Sequence, residues 1–152
     1  MKIETISDII DWTRQYHELL SRCLAQAKDE NLAERARLLL DYLAKHEHQL
    51  SLVLQGFEDS DNLKALHTWC YDYLDKYPVK PHPACDKPYA KMSTGEIIKQ
   101  VEYENGQILA LYRHVRSRVD SPSAIELIEQ LISLEEHEAM RMAHSANRLE
   151  DL

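Results

Sequence analysis

Residues 125–142, IELIEQLISLEEHEAMRM, place two carboxylates where a helix should be apolar. At roughly 100° per residue, Ile128, Leu131, Met142, Ala146 and Leu149 share one helical face, and that face must turn into a core. Glu135 and Glu138 fall near its middle. A carboxylate in an apolar interior costs on the order of several kcal/mol unless a partner compensates it. Whatever fold this chain adopts must therefore bring cations, donors or a metal to this face.

Composition narrows the fold class. Only 3 glycines and 5 prolines occur in 152 residues, and helix-forming residues dominate. A chain of this length is expected to form one domain over 1–152, burying about two-thirds of its unfolded surface without a structural metal. A net charge of −8 argues against nucleic acid or an anionic membrane as partner. No stretch is apolar enough for a signal peptide or a membrane span, so a cytoplasmic protein is expected. Cys23, Cys70 and Cys85 have no CxxC spacing and read as reduced structural thiols.

Four long amphipathic helices follow from the periodicity. Thr5 to Asp8 reads as a capping box opening the first, with Ile6, Ile9, Thr13, Leu20, Leu24 and Ala27 inward. Asn31, three residues before Glu34, reads as the N-cap of the second. That helix turns Leu32, Ala36, Leu39, Leu43, Leu50, Val53 and Phe57 inward, with Gly56 near its end. Ser93 and Glu96 form a second capping box, opening a helix with Ile97, Val101, Ile108, Tyr112 and Val115 inward. Ser121 and Pro122 suit the N-cap and first position of the last helix. Between the two pairs, about 58–93, lies a long connection. Its segment NLKALHTWCYDYLDKY predicts a shorter helix, and PVKPHPACDKP is too rich in proline for one. The expected fold is all-α: two antiparallel hairpins joined by a long crossover that carries a short extra helix. A five-helix up-and-down array, with 61–77 as a full member, is the alternative.

Each helix carries polar residues on its inward face, all near mid-helix. The first has His17, flanked by Tyr16. The second has His46, with Glu47 at the edge of the stripe and His48 pointing away. The third has Asn105, with Glu102 and Glu104 on opposite flanks. The fourth has Glu135 and Glu138, while His137 and His144 point outward. In an antiparallel bundle the middles meet, so these side chains should form one layer. Imidazole and carboxylate together suit a divalent transition metal, with iron first and manganese or zinc next. Such an ion would compensate the buried anions. The candidate ligands are His17, His46, Glu102, Glu135 and Glu138, with Asn105, Tyr16 and Glu47 behind them. The same residues could instead close into a metal-free His–carboxylate network.

At this point the chain resembles the ferritin-like group, which includes rubrerythrins, bacterioferritins and other di-iron carboxylate proteins. The resemblance rests on two hairpins, a long crossover and a ligand layer at mid-bundle, and it implies redox or iron-handling chemistry. In that group the first and third helices each give a Glu, and the second and fourth each carry Glu-x-x-His. This chain departs from that pattern: the first helix offers His17, or Glu18 only on a rotated face, the second has Leu43 three residues before His46, the third offers Glu102 or Asn105, and the fourth has Glu135-x-x-Glu138. Hemerythrin spacing, His-x-x-x-Glu and His-x-x-x-His, is absent, and no CxxCH offers a covalent haem.

Two functions are therefore expected in competition. One is a metal-binding ferritin-like protein, in its furthest form a di-metal oxidoreductase. The other is a metal-free helical interaction module that dimerises, for which the aromatic stretch 66–77 offers a surface.

Overall fold

The computed structural model describes residues 3–70 and 85–150. Four long helices dominate: α1 (Ile6–Glu30), α2 (Glu34–Glu58), α4 (Thr94–Arg116) and α5 (Pro122–Glu150). A single helical turn, α3 (Leu63–Leu66), follows α2, and a 3-10 turn at Tyr89–Lys91 precedes α4. The bundle is all-α, as the periodicity predicts.

Local chemistry sets the helix starts. Thr5 Oγ1 accepts from the Asp8 amide at 3.3 Å while Asp8 accepts from the Thr5 amide at 3.0 Å, closing the first capping box. Ser93 and Glu96 repeat the arrangement at α4. Pro122 takes the first position of α5, where its missing N–H costs nothing.

Asn31 does not cap α2. Ala33 stands at that N-cap with no side-chain bond, and Asn31 ends α1 instead. Its buried amide accepts from the Ala33 amide at 2.9 Å and donates to the carbonyls of Tyr89 at 3.1 Å and Met92 at 3.3 Å. The start of α4 is thereby tied beside the start of α2. The connection leaves from beside the start of α1 at Thr68–Cys70 and arrives beside the α1–α2 turn at Tyr89–Met92, so α4 runs parallel to α2. Short turns at 31–33 and 117–121 make α1–α2 and α4–α5 antiparallel hairpins.

Of the expected helix over 62–77, residues 62–70 are described, and among them only Leu63–Leu66 is helical. From Thr68 to Cys70 the chain is extended against the N-terminus: the Ile6 amide donates to the Thr68 carbonyl at 3.1 Å, and the Cys70 amide to that of Glu4 at 2.7 Å. Those bonds to a neighbouring strand-like segment outcompete a marginal isolated helix. Residues 71–77 lie outside the described residues. The five-helix alternative, with 61–77 as a full member, therefore falls partly outside the described residues.

The cysteines also depart from expectation. Cys23 and Cys85 are joined as a disulfide, with Cα atoms 5.5 Å apart, and only Cys70 is a free, buried thiol. The bond pins the crossover to α1. Where Ser21 Oγ donates to the Ala44 carbonyl at 2.6 Å, α1 and α2 pack through small side chains. The core is continuous through all four long helices, with Ile6, Leu24, Leu39, Leu54, Ile97, Ile108, Tyr112 and Ile128 fully buried.

Candidate functional site

The inward face of α1 brings His17 to the centre of the bundle, with no exposure to solvent. Both of its ring nitrogens are engaged. Nδ1 lies 2.5 Å from Glu47 Oε2 on α2, and Nε2 lies 2.8 Å from Glu135 Oε1 on α5. From α4, Asn105 Nδ2 donates to Glu47 Oε1 at 2.8 Å. One side chain from each long helix thus meets in a single layer, and all four are at least nine-tenths buried.

The location of Glu47 corrects the expected helical phase. α2 buries Ala36, Leu40, Leu43, Glu47, Leu50 and Leu54 as one stripe. Leu32 is fully exposed and Val53 nearly half exposed, so the helix is rotated from the stripe Leu32, Leu39, Leu43, Leu50, Val53. That rotation carries Glu47 from the edge to the centre, fully buried, and shifts His46 to the flank.

His46 and Glu138 form a second, shallower pair. His46 Nε2 is 2.8 Å from Glu138 Oε2, with the side chains 10% and 14% exposed. The distance suits an ion pair, but Nε2 makes no aligned hydrogen bond. Arg141 reaches the other oxygen of Glu138 at 3.3 Å. Glu102, one turn before Asn105 and about 60° round the helix, is exposed at the solvent edge of the α4–α5 face and does not join the layer. Glu104, on the opposite flank, takes a hydrogen bond from Tyr16 and another from Gln100. Tyr16 is therefore tied to α4 rather than to the His17 carboxylates. His137 and His144 are exposed, as helical phase requires.

Electrostatics follow from this geometry. Burial by itself would lower the His17 pKa. Attraction to Glu135 and then Glu47, reinforced by both hydrogen bonds, outweighs it and pushes the value from 6.5 to about 10. That shift favours the imidazolium at neutral pH, a cation placed between two buried carboxyl groups. Burial first, then the bond to Glu104, raises the Tyr16 phenol far above its usual range, so it stays a neutral donor.

A metal centre imposes its own demands on these residues. A ligating imidazole must offer a lone pair, and ligands must converge on one point. Here His17 is sandwiched, with Glu47 and Glu135 at opposite edges of its ring. Among the described residues no three His, Cys, Asp or Glu side chains are grouped to hold an ion. In this arrangement the donor set does not fit a di-metal centre.

No model of a known protein family matches the chain, and no curated protein matches its sequence. A solved structure does match: a candidate ferritin-like diiron-carboxylate protein from Thermotoga maritima. The match has a TM-score of 0.63 and covers 94% of this chain and 95% of the other, with 13% sequence identity. At that identity the likeness is one of fold. By fold, then, this chain is a divergent ferritin-like helical bundle.

Proposed function

We propose that the mid-bundle layer is a closed His–carboxylate network in which the His17 imidazolium takes the part a metal plays in a di-iron bundle. The reading rests on one observation, the engagement of both ring nitrogens of His17 by Glu47 and Glu135. Protonated imidazole compensates the buried anions, and Asn105 satisfies the remaining face of Glu47. The layer then specifies how four helices register, and the chain acts as a binding or interaction module rather than as an oxidoreductase. A homodimer is the assembly we expect. Trp69, about half exposed, is the described part of the aromatic segment on which that expectation rests.

The test is elemental analysis of protein purified without added metal, followed by titration with Fe(II), Mn(II) and Zn(II). The network reading expects no stoichiometric transition metal and no change in melting temperature with chelator. One or two ions per chain, lost in Glu135→Gln, would overturn it.

A second reading, a metal-binding ferritin-like protein, draws on the likeness to a candidate diiron-carboxylate protein and on the shallower pair. His46 Nε2 lacks an aligned hydrogen bond and faces the Glu138 carboxylate. His46, Glu138 and a Glu135 turned away from His17 would then hold a single divalent ion, iron before manganese or zinc, an arrangement the three side chains do not have here. When bound, the ion would supply Lewis acidity or redox chemistry. On this reading His46→Ala abolishes metal uptake and leaves the His17 layer intact.

No helix among the described residues is long and apolar enough to cross a membrane. Whether the chain works in the cytoplasm turns on the Cys23–Cys85 bond, since disulfides persist in oxidising compartments and are rare in cytosolic proteins. Thiol trapping in the producing cell would report the bond's state directly.

A further inference from the structure

The α4–α5 hairpin packs less closely than α1–α2, and between its helices a cleft of about 240 Å³ opens to the surface. Its floor is Leu43 of α2, and its walls are aliphatic, with Val101 on α4 facing Met142 and Ala146 on α5. For scale, an apolar cavity of about 150 Å³ holds a benzene-sized molecule.

Two features separate this cleft from a packing defect. The first is Asn105, 5% exposed, which lines it. Its Nδ2 is committed to Glu47, which fixes the orientation of the amide. The other atom, Oδ1, is buried without a hydrogen-bond partner among the described residues. An unpaired buried acceptor costs about 1–3 kcal/mol, which a ligand donor would recover. The second is Gly106, in the middle of α4, where glycine costs about 1 kcal/mol against alanine. Its φ is not positive, and a Cβ built there meets nothing within 4 Å. Close packing does not require this glycine; a side chain there would instead fill the space at the cleft.

We infer that the cleft between α4 and α5 binds a small, neutral, mainly aliphatic molecule through one hydroxyl donated to Asn105 Oδ1. The aliphatic walls take the chain of the ligand. The Glu102 carboxylate on the same lining disfavours an anionic head group, so a medium-chain alcohol fits where the corresponding fatty acid does not. Binding needs no metal and is independent of how the His17 layer is read.

The probe is 1-octanol, compared with its isomer heptyl methyl ether, which has the same size but no donor, and with octanoate. Amide chemical shifts in two-dimensional NMR locate and quantify binding. Expected are saturable shifts at Gly106, Ala139 and Ala143, and an affinity for the alcohol about five- to tenfold above that for the ether, the yield of one hydrogen bond. Octanoate should bind more weakly than the alcohol. Gly106→Leu, which improves the helix and fills the cleft, should keep the fold and reduce octanol affinity at least tenfold. Absence of saturable shifts at these residues would overturn the proposal, as would equal affinity for alcohol and ether, or undiminished binding in a folded Gly106→Leu protein.

Discussion

Raising the pH should weaken this bundle well before its lysines or tyrosines titrate, because His17 must be charged to hold the layer together. Its folded-state pKa, about 10, lies above the unfolded value of 6.5. A group raised on folding stabilises fully below its unfolded pKa, and that contribution is lost as pH climbs through the folded one. At about 1.4 kcal/mol per unit, the whole interval is worth about 5 kcal/mol. Roughly half of it, about 2.5 kcal/mol, disappears between about pH 7 and pH 9. For a chain of this size that is a fall of about 5–10 °C in melting temperature. The assay is thermal unfolding by circular dichroism in matched low-salt buffers, with urea midpoints as a second measure. Buried Cys70, its thiol pushed by burial from 9.0 up to about 12, adds loss of the same sign only above pH 9, so the scan stops there. Glu135→Gln removes the larger of the two attractions and should flatten the slope. A wild-type melting temperature level across the window would refute the reasoning.

Further expectations follow from single residues. His17→Leu leaves Glu47 and Glu135 buried without a cation and should cost about 3–5 kcal/mol, measured by urea unfolding at neutral pH. Reducing Cys23–Cys85, which closes a loop with a sequence separation of 62, should remove about 4 kcal/mol, read as a lower melting temperature in reductant. Gly106→Ala meets no neighbour and should raise stability by about 0.5–1 kcal/mol, visible as a shift in the urea midpoint. Ser93→Ala opens the capping box of α4 and should cost about 1 kcal/mol by the same assay.

How far this site could be read in advance depended on how cleanly each helix states its phase. On α1 and α5 the apolar residues recur on one stripe, and periodicity alone puts His17 on the inward face and Glu135 near its centre. On α4 the same held for Asn105. α2 carries the run Leu38-Leu39-Leu40 and apolar residues at both Val53 and Leu54, which allow two phases. Choosing Leu32 and Val53 put Glu47 at the rim, whereas the heptad Leu40, Leu43, Glu47, Leu50, Leu54 would have put it inside. Glu102 shares a face with Asn105 one turn away, but it lies at the solvent edge of that face, a distinction periodicity does not resolve. The disulfide was not legible at all. Nothing local relates residue 23 to residue 85, and their meeting is a tertiary contact across 62 positions of sequence. The extended pairing of Thr68–Cys70 with Glu4 and Ile6 is hidden for the same reason.

The protonation state of one imidazole, His17, decides whether the layer is a closed ionic network. Nitrogen-15 NMR of histidine-labelled protein, purified without added metal and held near pH 8, reads it directly. A buried imidazolium predicts two protonated ring nitrogens on His17, unchanged by chelator, at a pH where an ordinary histidine is neutral. A neutral tautomer with one bare nitrogen, or a His17 signal shifted by bound metal and restored by chelation, would contradict it.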